Sequence, residues 1–293
     1  MDVPTFLIQC LNAVQYGLLL FLVASGLTLI FGSMGVINLA HGSFYMIGAY
    51  MAYALAPWVE SVLGGGFFTT VAAGLVLSVL LGYVLEWLFF SYLYERDHLQ
   101  QVLMTYGLIL VFEELRSMLV GDDVHGVQAP AWLAGSIPLS DVMSYPVYRL
   151  FISAVCLGLA LGMWVVIART RLGMRVRGGA SNREMVRALG VDIRLLYRLV
   201  FAAGVALAAL AGMIAAPVSS VYPGMGAQVL IISFVVVVIG GIGSIRGAFV
   251  AALLVGVVDT FGKVLFPAAA GVLVYLLMAA VLLWKPEGLF RVN

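Results

Sequence analysis

Two polar side chains interrupt an apolar stretch near the start of the chain. Asn38 and His41 stand among glycines, including Gly35 and Gly42, in SGLTLIFGSMGVINLAHGSFYMIGAY, residues 25–50. In hydrocarbon every backbone N–H and C=O needs a protein partner, so an interrupted helix persists only inside protein or beside a water-filled cavity. Polar side chains at that depth face a pathway or a partner helix. The pattern predicts a translocation pathway or gate; a turn near the membrane surface and simple helix packing are the alternatives.

Acidic residues inside apolar runs are candidates for proton relay. Glu113 and Glu114 lie in TYGLILVFEELRSMLVG, and Asp259 lies in GVVDTFGK. Carboxylates at mid-membrane often mark an ion path. However, Arg116 follows Glu113 at i+3 and Lys263 follows Asp259 at i+4, spacings at which opposite charges meet on one helix face. We therefore predict ion pairs in preference to a proton relay.

Signatures of enzymes and of bound metals are missing from the sequence. There is no P-loop pattern, no HExxH and no GxSxG nucleophile elbow. The two cysteines, Cys10 and Cys156, stand in apolar runs without metal-ligand spacing, and His98 and His125 belong to no ligand cluster. Glu86 has no evident role. We expect a protein that is not an enzyme and that holds no cofactor and no metal.

The composition indicates a membrane protein. Hydrophobic residues make up 63% of the 293 residues and charged residues only 10%, whereas soluble domains have about 45–50% and about 25%. The net charge of +1 gives no indication of nucleic-acid binding. Because almost the whole chain is needed for membrane helices, we expect one transmembrane domain over residues 1–293 and no sizeable soluble domain.

Apolar runs long enough for membrane helices follow one another along the chain. Since a span needs about 20 apolar residues, they predict an all-α, polytopic transmembrane helix bundle with roughly eight or nine spans. The runs 36–57 and 228–243 are rich in glycine and are predicted to be broken or half-helices, one in each half, which is typical of inverted repeats with a path at their interface. The runs are 6–31, 36–57, 67–93, 99–120, 147–168, 196–216, 228–243, 248–266 and 270–284.

The distribution of basic residues predicts the orientation. Residues 169–198 contain eight arginines of the 15 Lys and Arg in the chain, and such loops stay in the cytoplasm. Counting spans from this loop places the N-terminus outside and the C-terminus, with Lys285 and Arg291, inside. The loop 120–145 then lies outside; its charged residues are Asp122, Asp123 and Asp141.

A short helix is predicted inside the basic loop. Ser181 stands three residues before Glu184, the spacing of a capping box, and Gly190 stands at the position of a C-terminal cap. About two turns of helix are marginal alone, so we predict that this helix docks on a partner protein through its apolar side; contact with lipid headgroups is the alternative. The predicted docking residues are Ser181, Arg183, Glu184, Met185, Arg187, Leu189 and Gly190.

Four stretches resemble one family. Residues 25–50 are similar to the signature of the inner-membrane permease subunits of branched-chain amino acid ABC importers, the LivH type. TRLGMRVRGGASNREMVRALGVDI resembles the cytoplasmic coupling loop of that family, and FAAGVALAALAGMIAAP resembles the helix that follows it. GGIGSIRGAFVAALLVGVVD and WKPEGLF resemble its C-terminal quarter. The chain is identified as a member of this family over nearly its whole length.

The resemblance implies a multi-subunit machine in the bacterial inner membrane. It implies a second, homologous permease subunit, two cytoplasmic ATP-binding subunits that hydrolyse ATP, and a periplasmic protein that delivers branched-chain or other hydrophobic amino acids. The short helix at 181–189 would couple to the ATPase. The expected pathway or gate residues are Gly35, Asn38, His41, Gly42 and Ser43.

The sequence leaves other substrates and another class of transporter as alternatives. Importers for urea or short amides share the NLAHG stretch, and aromatic acids or other amino acids are further alternative cargoes. Ser43 stands where many relatives carry an acid, which leaves the substrate open. A proton-coupled secondary transporter would need an unpaired acid at mid-membrane. Whether the permease pair is a heterodimer or a homodimer is also left open.

Overall fold

The protein folds as the predicted all-α bundle. The computed structural model describes residues 3–94, 96–138 and 143–290. Two short strands, β1 (Ser136–Pro138) and β2 (Ser144–Pro146), form an antiparallel hairpin, and single 3-10 turns lie at Phe90–Tyr92 and Ala131–Leu133. The α-helices of this part of the chain are α1 (Val3–Met34), α2 (His41–Ala54), α3 (Ala56–Leu63), α4 (Phe67–Leu88), α5 (His98–Val120), α6 (Val147–Arg169), α7 (Arg171–Ser181), α8 (Arg183–Ala188), α9 (Ile193–Ser219), α10 (Met225–Gly240), α11 (Ile245–Leu265) and α12 (Ala270–Trp284).

Each predicted apolar run coincides with a helix or a bent helix pair. Within the described residues, α1, α4, α6, α9 and α11 are long and apolar enough to cross a membrane, and α2 with α3, bent by 48°, makes a sixth candidate span. The number is lower than the predicted eight or nine for two reasons. Helices α10 and α12 are short, and α5 contains Glu113, Glu114 and Arg116, which lower its hydropathy.

Helices α1 and α9 form the centre of the bundle, and 83% of the apolar window of each is buried. They touch where Gly26 meets Gly204: a Cβ on Gly26 would lie 2.6 Å from the Gly204 carbonyl oxygen. Helix α11 packs along α1, and α4 packs along α9. This arrangement pairs one half of the chain with the other, as expected for an inverted repeat.

The chain re-enters the bundle between α1 and α2. We call the end of the bundle that carries residues 170–192 the basic end; α1 reaches it at Met34, whose carbonyl oxygen lies 3.5 Å from Arg183. His41, the first residue of α2, contacts the Val23 carbonyl oxygen at 3.0 Å. Val23 lies about 16 Å along α1 from Met34, at about 1.5 Å per residue. Residues 35–40 therefore run back from the basic end to mid-bundle.

Helix α10 is the counterpart of α2 in the second half. It begins at mid-bundle, where Gly226 packs on Gly42, and ends at the basic end, where Gly243 packs on Gly32 of α1. The connection before α2 begins with Gly35 (φ +68°), and the one before α10 begins with Ser220, the non-glycine residue with positive φ (+56°) in the described part. Each connection turns the chain sharply back into the bundle. The predicted half-helices are thus present, with their N-termini in contact.

Candidate functional site

The predicted pathway residues lie together in the re-entrant segment and the start of α2. Asn38 and His41 are fully buried, and Ser43 is 4% exposed. Both side-chain polar atoms of Asn38 and the Nδ1 atom of His41 have no hydrogen-bond partner among the residues that the structure describes. None of the three lines the cleft at the basic end or the cavity at the opposite end of the bundle, which are described below. The segment is closed in this structure.

Glycines make the closure tight. A Cβ on Gly42 would overlap the carbonyl oxygen of Gly226 and lie 2.7 Å from Leu230 Cβ, and a Cβ on Gly226 would lie 2.8 Å from the Gly42 carbonyl oxygen. Any side chain at either position would separate α2 from α10. Gly35 is needed for a different reason. A Cβ there would have open space, but its positive φ favours glycine over residues with a side chain.

Two further buried hydroxyls without a partner among the described residues belong to helices that pack against α2. Besides Asn38 and His41, the hydroxyls of Thr28 on α1 and Ser233 on α10 are buried without a partner in the described part of the chain. Helices α1, α2 and α10 pack against one another. A buried polar atom without a hydrogen bond costs about 1–3 kcal/mol, and natural proteins retain few such atoms.

A cavity of about 440 Å³ opens at the opposite end of the bundle, and we call it the outer cavity. It lies between α1, α6, α9 and α11, with Tyr45 of α2 in its wall. Its lining combines charged, amide and hydroxyl groups with apolar side chains. The lining residues are Gln9, Asn12, Gln15, Tyr16, Leu19, Tyr45, Arg149, Ala215, Val218, Ser219, Asp259, Thr260, Lys263 and Val264.

The charged side chains in the outer cavity form an ion pair or hydrogen bonds with neighbouring side chains. Lys263 Nζ donates to Asp259 Oδ2 at 2.6 Å, which confirms the predicted ion pair. Arg149 donates to Asn12 Oδ1 at 2.7 Å, and the Tyr145 hydroxyl donates to the same oxygen at 3.2 Å. Asp259 is 8% exposed as a residue, whereas the side chain of Lys263 is 63% exposed.

The sequence analysis missed this cavity. One signal was present in α1, where Gln9, Asn12, Gln15 and Tyr16 recur at helical spacing and mark a polar stripe on one face. Their convergence with Arg149 and with the Asp259 pair depends on helices that are distant in sequence. The spacing of Asp259 and Lys263 predicted an ion pair, but it gave no indication of a cavity.

Two further acids inside helices, Glu113 and Glu86, are also paired. Arg116 Nε donates to Glu113 Oε2 at 3.2 Å, as predicted, and Arg116 also donates to Asp122 at 2.9 Å. This hydrogen bond lowers the pKa of the Asp122 carboxyl. Buried Glu86 accepts from Arg198 at 3.0 Å. The two buried acids of the described chain, Glu86 and Asp259, therefore both have basic partners.

Glu86 belongs to a cluster at the basic end. The Tyr94 hydroxyl donates to Glu86 Oε1, and the Arg198 guanidinium also stands over the Tyr83 ring at 5.7 Å. Burial, with the hydrogen bond to Glu86, raises the pKa of Tyr94. The cluster ties α4 and the turn after it to α9. Asp141 and Arg291, which the sequence analysis placed on opposite sides of the membrane, lie outside the described residues.

The short helix of the basic loop exists, but its N-terminal cap differs from the prediction. Ser181 is the last residue of α7 and not the cap; the Asn182 side chain instead accepts a hydrogen bond from the Met185 backbone N–H at 2.9 Å. Residue 182 has left the helical region (φ −152°, ψ 97°), so the capping position falls on the asparagine. The capping-box prediction at Ser181 is therefore wrong.

The C-terminal cap of α8 is confirmed. Gly190 has φ +83°, its N–H donates to the Arg187 carbonyl oxygen, and the Val191 N–H donates to the Val186 carbonyl oxygen. These two bonds form a Schellman motif. The helix Arg183–Ala188 is thus closed at both ends within its six residues.

Helix α8 presents its apolar side chains to the surroundings. Met185 is 64% and Leu189 78% exposed, while Val186 packs toward Gly178 of α7. Arg183, Glu184 and Arg187 of the helix line a cleft of about 1320 Å³ at the basic end, which Arg96, Arg194 and Arg198 also line. The predicted docking residues, including Ser181, are all exposed.

Comparison with known proteins identifies the family. The profile described as "Branched-chain amino acid transport system / permease component" matches residues 9–282. The permease protein BraD of Pseudomonas aeruginosa is 29% identical over 98% of this chain and 96% of its own length. LivH of Salmonella typhimurium and LivH of Escherichia coli are each 28% identical over 97% of this chain and 95% of their own length. All three are named high-affinity branched-chain amino acid transport system permease proteins. No solved structure matches the chain.

The matches cover the chain as a whole. The profile and each of the three relatives extend over nearly the whole chain, so the resemblance noted in the sequence is confirmed. Five apolar helices and a bent pair meet the requirement for membrane spans. The chain belongs to the family of branched-chain amino acid transport system permease components, and it is a multi-pass membrane protein that forms the permease subunit of an ABC importer.

Proposed function

We propose that the protein translocates branched-chain or other hydrophobic amino acids across the bacterial plasma membrane. In this proposal residues 1–293 form one permease domain that pairs with a second, homologous permease subunit. Two cytoplasmic ATP-binding subunits hydrolyse ATP, and a periplasmic protein delivers the cargo. The observation that supports the proposal is α8, a helix that is capped at both ends and that carries exposed Met185, with exposed Leu189 directly after it.

The route from α8 to the pathway is short. Arg183 at the start of α8 contacts the carbonyl oxygen of Met34, and Gly35 begins the re-entrant segment that holds Asn38. If the ATPase displaced α8, the contact between Arg183 and Met34 would transmit the movement to that segment. The segment would then move the Gly42–Gly226 junction, where α2 and α10 meet. Such a junction of two half-helices is a bistable element that a docked partner can bias.

The proposed orientation follows the positive-inside rule. The basic end lies in the cytoplasm because it carries the arginines of residues 169–198. The N-terminus and the outer cavity then face the periplasm, and the C-terminus lies inside. Lipid surrounds the exposed apolar sides of helices such as α4 and α6. The periplasmic partner would deliver cargo at the end where the outer cavity opens.

The rival machines have less support. A proton-coupled secondary transporter needs an acid without a basic partner at depth, and both buried acids of the described residues, Glu86 and Asp259, are paired. Permeases for urea, short amides or aromatic acids would share the same architecture. They differ in cargo, and the charges of the outer cavity bear on that choice.

Leu189→Glu should uncouple transport. The substitution places a charge at a site that is 78% exposed and that would be buried in an apolar ATPase groove, which costs several kcal/mol in docking free energy. We expect ATP-dependent leucine uptake by the assembled complex in proteoliposomes to fall by at least tenfold, with the subunit still inserted. Arg187→Glu should act in the same direction.

The matched control is Val124→Glu, the same kind of change at a residue that is 67% exposed at the opposite end of the bundle. It should leave copurification of the ATPase unchanged. Substrate-stimulated ATPase activity that survived both Leu189→Glu and Arg187→Glu would show that α8 is not the coupling element.

Asn38→Leu should impair uptake without loss of ATPase binding. Leucine has a similar size but provides no polar atoms, so an opened path would lose a hydrophilic contact at the re-entrant segment. The closed state should tolerate the change, because the amide of Asn38 has no hydrogen-bond partner among the residues that the structure describes. We expect a several-fold lower uptake rate in proteoliposomes and normal copurification of the ATPase. Wild-type uptake rates would remove Asn38 from the pathway.

A further inference from the structure

We propose that the outer cavity is a binding subsite for a zwitterionic α-amino acid, an inference that rests on the proposed transport function. Asp259 receives the ammonium group, and Lys263 with Arg149 receives the carboxylate. The cavity would hold the cargo between its release by the periplasmic partner and its passage through the closed Gly42–Gly226 junction.

The charges in the cavity match both ends of an amino acid. One carboxylate, Asp259, and two cations, Arg149 and Lys263, line the same space. An ammonium and a carboxylate on one ligand each need an opposite charge or several hydrogen bonds when they leave water. Asn12, Gln15 and other uncharged polar groups stand between the charged ones and can complete the hydrogen bonds of the ligand.

The ligand can replace Lys263 in the ion pair with Asp259 without leaving either side chain unpaired. Lys263 Nζ binds Asp259 from a side chain that is 63% exposed, whereas the Asp259 side chain is only 12% exposed. The lysine can swing away while the carboxylate stays in place. The ammonium of the ligand then replaces Lys263 on Asp259, and the released lysine can meet the ligand carboxylate. The number of ion pairs does not fall.

The rest of the lining suits an aliphatic side chain. Leu19, Ala215, Val218 and Val264 supply apolar surface beside the polar groups. The volume of about 440 Å³ lies within the range of about 300–1,000 Å³ that small-molecule sites occupy. Tyr45 in the wall belongs to α2, the helix that begins at the closed junction, so the cavity adjoins the element that must move.

The same chemistry separates the candidate cargoes. Urea and short amides are neutral, so they offer no charge to replace Lys263 on Asp259 or to pair with Arg149. Aromatic acids are anions, which the two cations can bind but which Asp259 would repel. An α-amino acid uses both signs of charge. The outer cavity therefore favours amino acids over the other cargoes that share this architecture.

The test uses the complete complex of permease pair and ATPase in detergent, without the periplasmic protein. Binding of leucine is compared with that of leucinamide, which lacks the carboxylate, and of 4-methylpentanoate, which lacks the ammonium group. We expect weak, saturable leucine binding and roughly ten- to hundredfold weaker binding of each analogue. Equal binding of the three ligands, or no binding of leucine, would overturn the proposal.

Two variants localise the binding to the cavity. Asp259→Asn should weaken the binding of leucine and of leucinamide, which both carry the ammonium group, by roughly tenfold or more while leaving the weak binding of 4-methylpentanoate less changed, and Lys263→Gln should weaken leucine binding by a smaller factor. Glu113→Gln is the matched control, because it removes a carboxylate from an ion pair on α5 away from the cavity. Leucine binding that was unchanged in Asp259→Asn would contradict the assignment.

Uptake measurements separate this proposal from the proposed function. If the wild-type complex imports leucine but Asp259→Asn and Lys263→Gln import it at the wild-type rate and KM, the subsite is wrong and the transport function stands. If the wild-type complex with its periplasmic protein does not import leucine at all, the transport function itself fails. If Asp259→Asn does not assemble, the ligand comparison on the wild-type complex decides alone.

Discussion

Gly48→Val should prevent recovery of folded protein. A Cβ at residue 48 would lie 2.5 Å from the Cα of Ala209 and would overlap its carbonyl oxygen. Both neighbours are backbone atoms of α9, so no side-chain rotation relieves the clash. On the facing helix, Gly212 approaches the Tyr45 carbonyl oxygen of α2 in the same way. Helices α2 and α9 are therefore in direct backbone contact.

The expected loss of stability exceeds that of an ordinary core substitution. Overpacking by an added methylene costs typically about 1–3 kcal/mol when neighbours can adjust, and here whole helices would have to separate. The clash involves the backbone of α9, on which α1, α2 and α4 all pack. Displacing α9 would therefore disturb the whole bundle. We expect the detergent-extracted variant to lose its monodisperse peak in size-exclusion chromatography and its cooperative thermal transition.

Gly158→Val is the control for this experiment. Gly158 lies on α6 with open space around its Cα, and the change carries the same helix-propensity cost as at residue 48. It should yield folded protein with a nearly unchanged melting temperature. Equal behaviour of the two variants would mean that α2 and α9 do not make the close contact described.

Arg198→Met should destabilise the protein by about 3–5 kcal/mol. The Glu86 side chain is 1% exposed and pairs with Arg198 at 3.0 Å. Removing one partner of a buried pair leaves an uncompensated charge, which costs about 3–5 kcal/mol. The Tyr94 hydroxyl alone would then stabilise the carboxylate of Glu86. In thermal unfolding of the detergent-solubilised subunit we expect the midpoint to fall by roughly 10 °C.

A second substitution tests the cause. Adding Glu86→Gln to Arg198→Met removes the stranded charge, so the double variant should recover part of the lost stability. Arg175→Met, at an exposed arginine of α7, should change the midpoint little. If the double variant were as unstable as the sum of the single variants, lost packing and not lost pairing would explain the effect.

Local sequence patterns predicted the local features of the pathway region. The run of glycines around Asn38 predicted a broken helix, because interrupted apolar segments must be shielded inside protein, and α2 begins there after a re-entrant segment. The glycine-rich run 228–243 predicted the second half-helix, α10. The spacings of Glu113 to Arg116 and of Asp259 to Lys263 predicted ion pairs that formed, since partners on one helix face need no tertiary contact.

The capping error at Ser181 shows where local patterns stop. Serine and asparagine are both good N-caps, and Ser181 and Asn182 stand side by side. Asn182 is the N-cap of α8 because α7 continues as a helix through Ser181, with Val176 and Gly179 buried along it. The end of one helix therefore set the start of the next. The presence of α7 depends on burial against the bundle, which the spacing of residues does not reveal.

By itself the sequence determined the membrane class, the helical fold, the family and the basic loop, because these follow from composition, periodicity and contiguous motifs. Only the tertiary structure decided that Gly42 meets Gly226 and that Arg149, Asp259 and Lys263 line one cavity with Asn12. Those residues come from different helices, far apart along the chain. Their meeting depends on helix crossing points, which are set by close backbone packing at glycines and not by local spacing.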